Sequence, residues 1–307
     1  MEVSKVVDNI LSNAPLVNSA GLYHGKAGIA LALFEASQYL QDESVADAAF
    51  NLFQEALIAK VQDYGFENGL SGIGYMLCYL SENKFIDADF DELFGEQYEK
   101  IVKSLGDIEK KPDRLLNVLQ VIYFLSSVKQ NDDRPQKIIK KIFEGLELFL
   151  TVQFQDIRDI HYINDKMAVV RIYELYLKMV NYADYKHFSP SLLENYAELY
   201  RTNRLISSLA IGYYLNLLAT KNAIREYQDV ISANIENGVK NIDIAPLSLQ
   251  DRINAAKLIF DFENNFNQKI YDGNALGTIN LHSSPLSYKD GLSRFLIFNV
   301  NAKVDLL

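Results

Sequence analysis

Apolar residues recur along the chain at helical spacing. Ile138, Ile142, Leu146 and Leu150 follow one another every four residues, which places them on one face of a helix. No stretch shows sustained alternation of apolar and polar residues, the pattern that a half-buried strand would give. Similar amphipathic segments lie at 92–105, 136–149 and 192–200. The pattern therefore predicts an all-α protein.

A short motif repeats within this pattern. Segment 21–34 reads GLYHGKAGIALALF and segment 68–80 reads NGLSGIGYMLCYL, so both carry G-x-x-G-I followed by an apolar run. Segment 291–298, GLSRFLIF, resembles the second copy, and weaker copies lie between. The position of the first glycine falls in turn at Gly25, Gly69, Asn117, Asp165, Ser207, Asp251 and Gly291, with Asp251 the least certain alignment.

The spacing of these positions predicts the architecture. Successive copies are 44, 48, 48, 42, 44 and 40 residues apart. A helix takes roughly 12 residues and a turn roughly 2–8 residues. A unit of this length therefore has room for two helices and two turns. Each unit is then an inner helix, which begins at the glycine position, and an amphipathic outer helix.

Such units can stack into an open solenoid or close into a ring. Glycine at the start of the inner helices favours closure, because backbones crowd where helices converge; the alternative is that the glycines only permit tight turns. No linker rich in Pro, Gly or Ser interrupts the chain. We expect one domain, residues 1–307, folded as an α/α toroid of about seven inner and seven outer helices.

Composition and charge narrow the classes of function. The net charge is −10, and no stripe of Lys and Arg with interleaved aromatic residues offsets it, so we expect no binding to nucleic acid. No charge-free apolar stretch approaches 18 residues, so we expect no membrane span. Cys78 is the single cysteine and the N-terminal segment lacks the apolar core of a signal peptide, which favours a cytoplasmic location.

At GLYHGKAGIALALF, NGLSGIGYMLCYL and DGLSRFLIF the sequence resembles the lanthionine synthetase C-like (LanC-like) family. The resemblance implies a toroid of seven inner and seven outer helices. Active members cyclise dehydrated peptides by adding a cysteine thiol across a dehydroamino acid. A zinc ion bound by two cysteines and one histidine stabilises the thiolate that attacks.

The resemblance places the zinc ligands at positions that cannot hold zinc here. They correspond to Leu205, Leu249 and Gln250, and no Cys or His lies between Pro190 and Asn280. We therefore expect a member without the zinc site and without a cofactor. Cys78 lies inside an apolar run and is expected to be a small buried hydrophobe.

Two further positions come from the resemblance. The candidate acid/base histidine of the family corresponds to Asn164, and a family arginine corresponds to Arg201.

Polar residues gather at the predicted starts of the inner helices, which form the mouth of the ring. Their simplest role is to cap helix N-termini. Helix N-termini also carry unpaired N–H groups and a partial positive charge, so we expect this face to suit anionic or carbonyl groups of a ligand. His24 could instead act as an acid or base, or be a turn residue bonded locally. Asp165, Asp251 and Asp290 could form a ring of carboxylates. The candidate ligand-binding residues are His24, Asn164, Asp165, Arg201, Asp251, Arg252 and Asp290.

Two functions from different classes fit these residues. The first is a zinc-free LanC-like protein that binds or scaffolds a peptide in a modified-peptide (lanthipeptide-like) biosynthetic system. Its partners would be a peptide substrate or precursor peptide and a modifying enzyme. The alternative is a metal-independent α/α-barrel enzyme, such as a glycoside hydrolase that uses carboxylates at the mouth. The sequence favours the non-catalytic function.

Overall fold

A computed structural model describes residues 3–106, 108, 112–128, 132–157, 163–240, 258, 281 and 284–301. Within these residues all the regular secondary structure is helical, which confirms the predicted all-α class. The helices are α1 (Val3–Asn13), α2 (Lys26–Leu40), α3 (Glu43–Ile58), α4 (Leu70–Glu82), α5 (Phe90–Leu105), α6 (Pro112–Val118), α7 (Val121–Ser127), α8 (Arg134–Asp156), α9 (Ile163–Tyr182), α10 (Pro190–Arg201), α11 (Leu209–Asn222), α12 (Gln228–Lys240) and α13 (Leu292–Val300).

The helices form two layers that differ in burial. In α2, α4 and α13 most residues are buried, so these helices lie inside. In α8 the buried residues include Ile138, Ile142, Leu146 and Leu150, which confirms the single apolar face predicted for this outer helix. Inner helices α2, α4, α7, α9, α11 and α13 thus alternate with outer helices α1, α3, α5, α8, α10 and α12.

The inner helices pack in chain order and return to their beginning. Helix α2 packs on α4, α4 on α7, α7 on α9 and α9 on α11, while α13 packs on α2 and α1. The inner helix predicted near Asp251 lies outside the described residues. The order of contacts, with the last helix against the first, is that of the predicted α/α toroid.

Most inner helices begin where the motif predicts. Gly25, Gly69 and Gly291 are the N-cap residues of α2, α4 and α13. Helices α9 and α11 begin within two residues of Asp165 and Ser207.

The start predicted at Asn117 is wrong. Asn117 lies in the last turn of α6, and the inner helix α7 begins at Val121. This repeat has no glycine at the motif position. A helix opened by Pro112, a residue favoured in the first turn, replaces the tight loop found in the glycine-containing repeats.

The first glycine of each motif is required by its own turn. A Cβ atom on Gly25 would lie 2.4 Å from the nitrogen of Gly21, and one on Gly69 would lie 2.5 Å from the carbonyl oxygen of Gly65. Both distances are shorter than side chains tolerate, and both neighbours belong to the same loop. The tight-turn explanation therefore holds for this position.

The second glycine also makes room for the neighbouring repeat. A Cβ atom on Gly28 would lie 1.9 Å from the carbonyl oxygen of Leu22 and 2.5 Å from Cβ of Tyr288, which precedes α13. A Cβ atom on Gly72 would similarly lie 2.9 Å from Cβ of Leu22 in the preceding repeat. The crowding expected of a closed ring is therefore found at the second glycine.

Backbone hydrogen bonds join the loops that precede α13, α2 and α4. The N–H groups of Tyr288 and Lys289 both donate to the carbonyl oxygen of Tyr23, at 2.9 and 3.2 Å. The N–H of Tyr23 in turn donates to the carbonyl oxygen of Glu67 at 2.7 Å. The last repeat is thus bonded to the first, and the first to the second.

A buried carboxylate joins the same three repeats at the opposite end of the inner helices. Glu35 of α2 is 4 % exposed and accepts hydrogen bonds from the hydroxyl of Tyr79 and from Nδ2 of Asn301, the latter at 2.8 Å. Burial, and then the hydrogen bond to Glu35, raise the pKa of Tyr79, so this phenol stays a donor. The ring is closed at both ends by polar contacts.

We expect Gly28→Ala to destabilise the protein by about 1–3 kcal/mol, the usual cost of overpacking. Gly95→Ala is the matched control, because Gly95 lies within α5 and nothing would lie within 4 Å of its Cβ. That change should be neutral or stabilising by about 0.5–1 kcal/mol. Urea unfolding followed by circular dichroism measures both. Equal stability of the two variants would contradict the packing described for Gly28.

Candidate functional site at the mouth of the ring

Three loops of the same construction form part of the mouth. They span 19–25, 63–69 and 284–291 and precede α2, α4 and α13. In two of them a serine in the first turn of the following helix donates to its own loop: Ser71 to the carbonyl of Tyr64, and Ser293 to the carbonyl of Leu286. This shared framework fixes each loop against the helix that follows it.

The tip of each loop presents one polar residue. His24, Asn68 and Asp290 stand directly before the three N-cap glycines, and all three are exposed. Because the backbones of the loops are bonded to each other, these side chains lie on adjoining loops of one face.

The first N–H groups of these helices do not face a ligand, which corrects the expectation from sequence. The N–H groups of Lys26, Leu70 and Leu292 donate to carbonyl oxygens in their own loops, at 2.8–2.9 Å. The glycine N-caps have no side chain that could satisfy these donors, and the loops turn back far enough to do so. These backbone donors are therefore already used within the loops.

A polar contact lies beneath the tips. Nζ of Lys289 is 3.8 Å from Oε1 of Glu67 and 5.5 Å from the centre of the Tyr23 ring, a cation–π geometry. Nε2 of Gln120 donates to the Tyr23 hydroxyl at 3.4 Å. Burial, with a smaller effect of Tyr288, raises the pKa of Tyr23, so the phenol remains protonated.

Aromatic side chains continue from Tyr23 across four repeats. The Phe66 ring lies 6.2 Å from Tyr23 and 5.4 Å from Tyr123, and Tyr123 lies 4.6 Å from Tyr182, measured between ring centres. Nζ of Lys178 lies 5.7 Å from the centre of Tyr123. The rings thus form a row that runs from the loops at 19–25 and 63–69 into α7 and α9.

The first part of the chain is similar to a known protein family. The family model described as lanthionine synthetase C-like protein matches residues 2–144. This region, a little under half of the 307 residues, is what the chain shares with that family. The matched part contains the first two glycine motifs and the loop tips His24 and Asn68. No curated protein and no solved structure matches the chain.

Of the three positions at which the resemblance places zinc ligands, in repeats five and six, the structure describes only Leu205 of repeat five, and that position does not fit a metal ion. Leu205 is buried in the hydrophobic core, and its hydrocarbon side chain has no atom that can ligate zinc. Leu249 and Gln250 lie outside the described residues. Within the described ranges no group of three His, Cys, Asp or Glu side chains could hold a metal ion.

Cys78 is a core residue, as predicted. It lies in α4 and is buried among apolar side chains. The structure therefore gives this thiol a packing role.

Arg201 is bound within the outer layer. Its guanidinium donates from Nε and a terminal nitrogen to the two carboxylate oxygens of Asp229, at 2.8 and 2.7 Å, which links α10 to α12. This hydrogen bonding lowers the pKa of Asp229 and keeps the pair charged. Arg201, which the family resemblance predicted as a ligand-binding residue, thus joins two outer helices.

The structure describes two of the remaining candidates, Asp165 and Asp290. Asp165 is exposed in the first turn of α9. Asp290 takes part in its own turn, because its carboxylate accepts from the Ser287 hydroxyl and its N–H donates back at 3.3 Å. The side chain of Asn164, and all of Asp251 and Arg252, lie outside the described residues. No helix in the described ranges is both long and apolar enough to cross a membrane.

Sequence reasoning missed the contact among Tyr23, Glu67 and Lys289. These residues occupy the same column of the repeat, two places before the first glycine. Reading that column across repeats one, two and seven would have shown a phenol, a carboxylate and an ammonium group where adjoining loops meet.

We expect the purified protein to contain no stoichiometric zinc after dialysis. A catalytic site needs about three protein ligands, and Leu205, Leu249 and Gln250 offer no thiolate or imidazole. Elemental analysis by plasma mass spectrometry measures the metal content. One zinc ion per chain would show that the ligands lie elsewhere.

Proposed function

We propose that this chain is a non-catalytic LanC-like protein that binds a peptide at the mouth of its ring, within a lanthipeptide-related biosynthetic system. The family match over residues 2–144 supports the biosynthetic setting. The observation that carries the binding role is the row of exposed tips, His24, Asn68 and Asp290, on loops that are bonded to one another.

The chemistry of the tips suits a polypeptide. An imidazole, an amide and a carboxylate together provide donors and acceptors for peptide N–H and C=O groups. The carboxylate of Asp290 and the net charge of −10 favour a peptide with basic residues. The loops are held by backbone bonds and glycine packing, so the tips are placed before a ligand arrives, which lowers the entropic cost of binding.

The buried Leu205 supports binding without cyclisation, because the thiolate-activating ion of active family members would lack a ligand there. The glycoside hydrolase alternative receives no comparable support. Of its three carboxylates, Asp290 is engaged in its own turn and Asp251 lies outside the described residues.

We expect His24→Ala and Asn68→Ala each to weaken peptide binding by about tenfold, or 1.4 kcal/mol. The exposed side chains carry little of the fold, so stability should change within about ±0.5 kcal/mol. The probe is a fluorescein-labelled synthetic peptide that contains lysine, cysteine and dehydroalanine, and anisotropy measures its affinity.

His187→Ala is the control, because His187 is also an exposed loop histidine but lies outside the mouth loops. It should leave affinity unchanged. Binding that is insensitive to both mouth variants, or equally sensitive to the control, would refute the mouth as the binding face.

A further inference from the structure

The outer wall of the ring contains a groove between α3 and α5. Its volume is about 1310 Å³, and it runs from the loop at 59–64 to the segment at 86–89. From α5 onward, consecutive outer helices pack on each other: α5 on α8, α8 on α10 and α10 on α12. The groove is thus a place where an outer helix has room for a further neighbour.

Large apolar side chains line the groove and reach solvent. The exposed fraction is 81 % for Ile58, 45 % for Leu93 and 41 % for Phe50, while Phe53 and Leu70 form a buried floor. Single exposed apolar residues are ordinary, but a contiguous apolar surface with a polar rim marks an interaction site. The exposed apolar residues therefore indicate a docking surface.

The rim of the groove on the α5 side is acidic. Segment 87–96 contains five carboxylates and no Lys or Arg, and Asp87, Asp89 and Glu92 line the groove. The ammonium group of Lys100, also on the rim, lies 3.8 Å from Glu96, which partly neutralises it. A ligand in the groove would therefore meet a net negative charge on the α5 side.

We propose that this groove binds an amphipathic helical segment of a partner polypeptide. Apolar side chains of the segment fill the space between α3 and α5, and Lys or Arg residues on its flank face the carboxylates of α5. The groove follows α5 from Asp89 to Lys100, a length of about 16 Å at 1.5 Å per residue, which suits about three helical turns.

The charges argue for this occupant over a second copy of the chain. Lys60 also lines the groove, so its charged lining residues are three carboxylates and two ammonium groups. In a two-fold dimer formed through the groove, two copies of this net-negative surface would meet. Such like charges would repel, whereas a basic flank would complement the rim. The groove shares Tyr64 with the mouth loop at 63–69 but none of the exposed tips, so this inference can be tested separately from peptide binding at the mouth.

The test uses the full chain and a fluorescein-labelled synthetic helix of about three turns, with leucines at positions i, i+4 and i+7 and lysines beside them. We expect Ile58→Asp and Leu93→Asp each to weaken its binding by about tenfold or more. Leu148→Asp is the matched control, because Leu148 is 70 % exposed on outer helix α8, away from the groove.

A charge swap separates recognition from damage to the fold. Asp87→Lys should weaken binding of the lysine-flanked helix and strengthen binding of the same helix with glutamates in place of lysines. A misfolded variant would lose both. Higher salt should weaken the wild-type complex, because the rim charges are exposed.

Three results would overturn the proposal. One is equal binding of a scrambled peptide of the same composition. Another is an equal loss of affinity in Leu148→Asp. The third is a wild-type dimer, detected by light scattering, that Ile58→Asp converts to a monomer; the groove would then be an interface between copies of the chain.

Discussion

The contact between the last repeat and the first is the interaction on which the rest of the structure depends. In a stack of helix pairs each unit is stabilised by its neighbours, so the terminal units lack one partner unless the stack closes. Here the carbonyl oxygen of Tyr23 accepts from both Tyr288 and Lys289, and Gly28 leaves the space in which Tyr288 packs. At the other end of the inner helices, Glu35 makes the equivalent connection through Tyr79 and Asn301.

Closure also determines what the mouth can offer to a ligand. The first N–H groups of α2, α4 and α13 are used within their own loops, and the loop carbonyls of Tyr23 and Glu67 are used between loops. A ligand bound at this face, as we propose, would therefore meet the side chains at the tips, His24, Asn68 and Asp290. The groove between α3 and α5 differs in kind, because it offers exposed apolar surface and an acidic rim. The two surfaces suit different parts of a polypeptide or different partners.

The fold could be predicted from sequence where the motif carries glycine. Gly25, Gly69 and Gly291 have the same role in three loops, so the starts of their helices were predicted correctly. Asn117 has no such constraint, and its repeat contains an extra short helix instead.

The site was less predictable because it depends on the path of the loops. Loop geometry determines which loop carbonyls accept from the helix N–H groups and places Lys289 next to Tyr23. The spacing of the motifs does not determine that geometry. Arg201 was assigned by resemblance, and only the position of Asp229 on the next outer helix reveals its pairing.

Native-state hydrogen exchange at the junction of the last and first repeats tests the central claim most directly. The amides of Tyr23, Tyr288 and Lys289 can be followed by NMR on the full chain. If closure stabilises the whole ring, all three should exchange only through global unfolding, with the same opening free energy as core amides of α2 and α4. Rapid exchange of the Tyr288 and Lys289 amides, with slow exchange in α2 and α4, would show that the last repeat opens freely and would contradict the account.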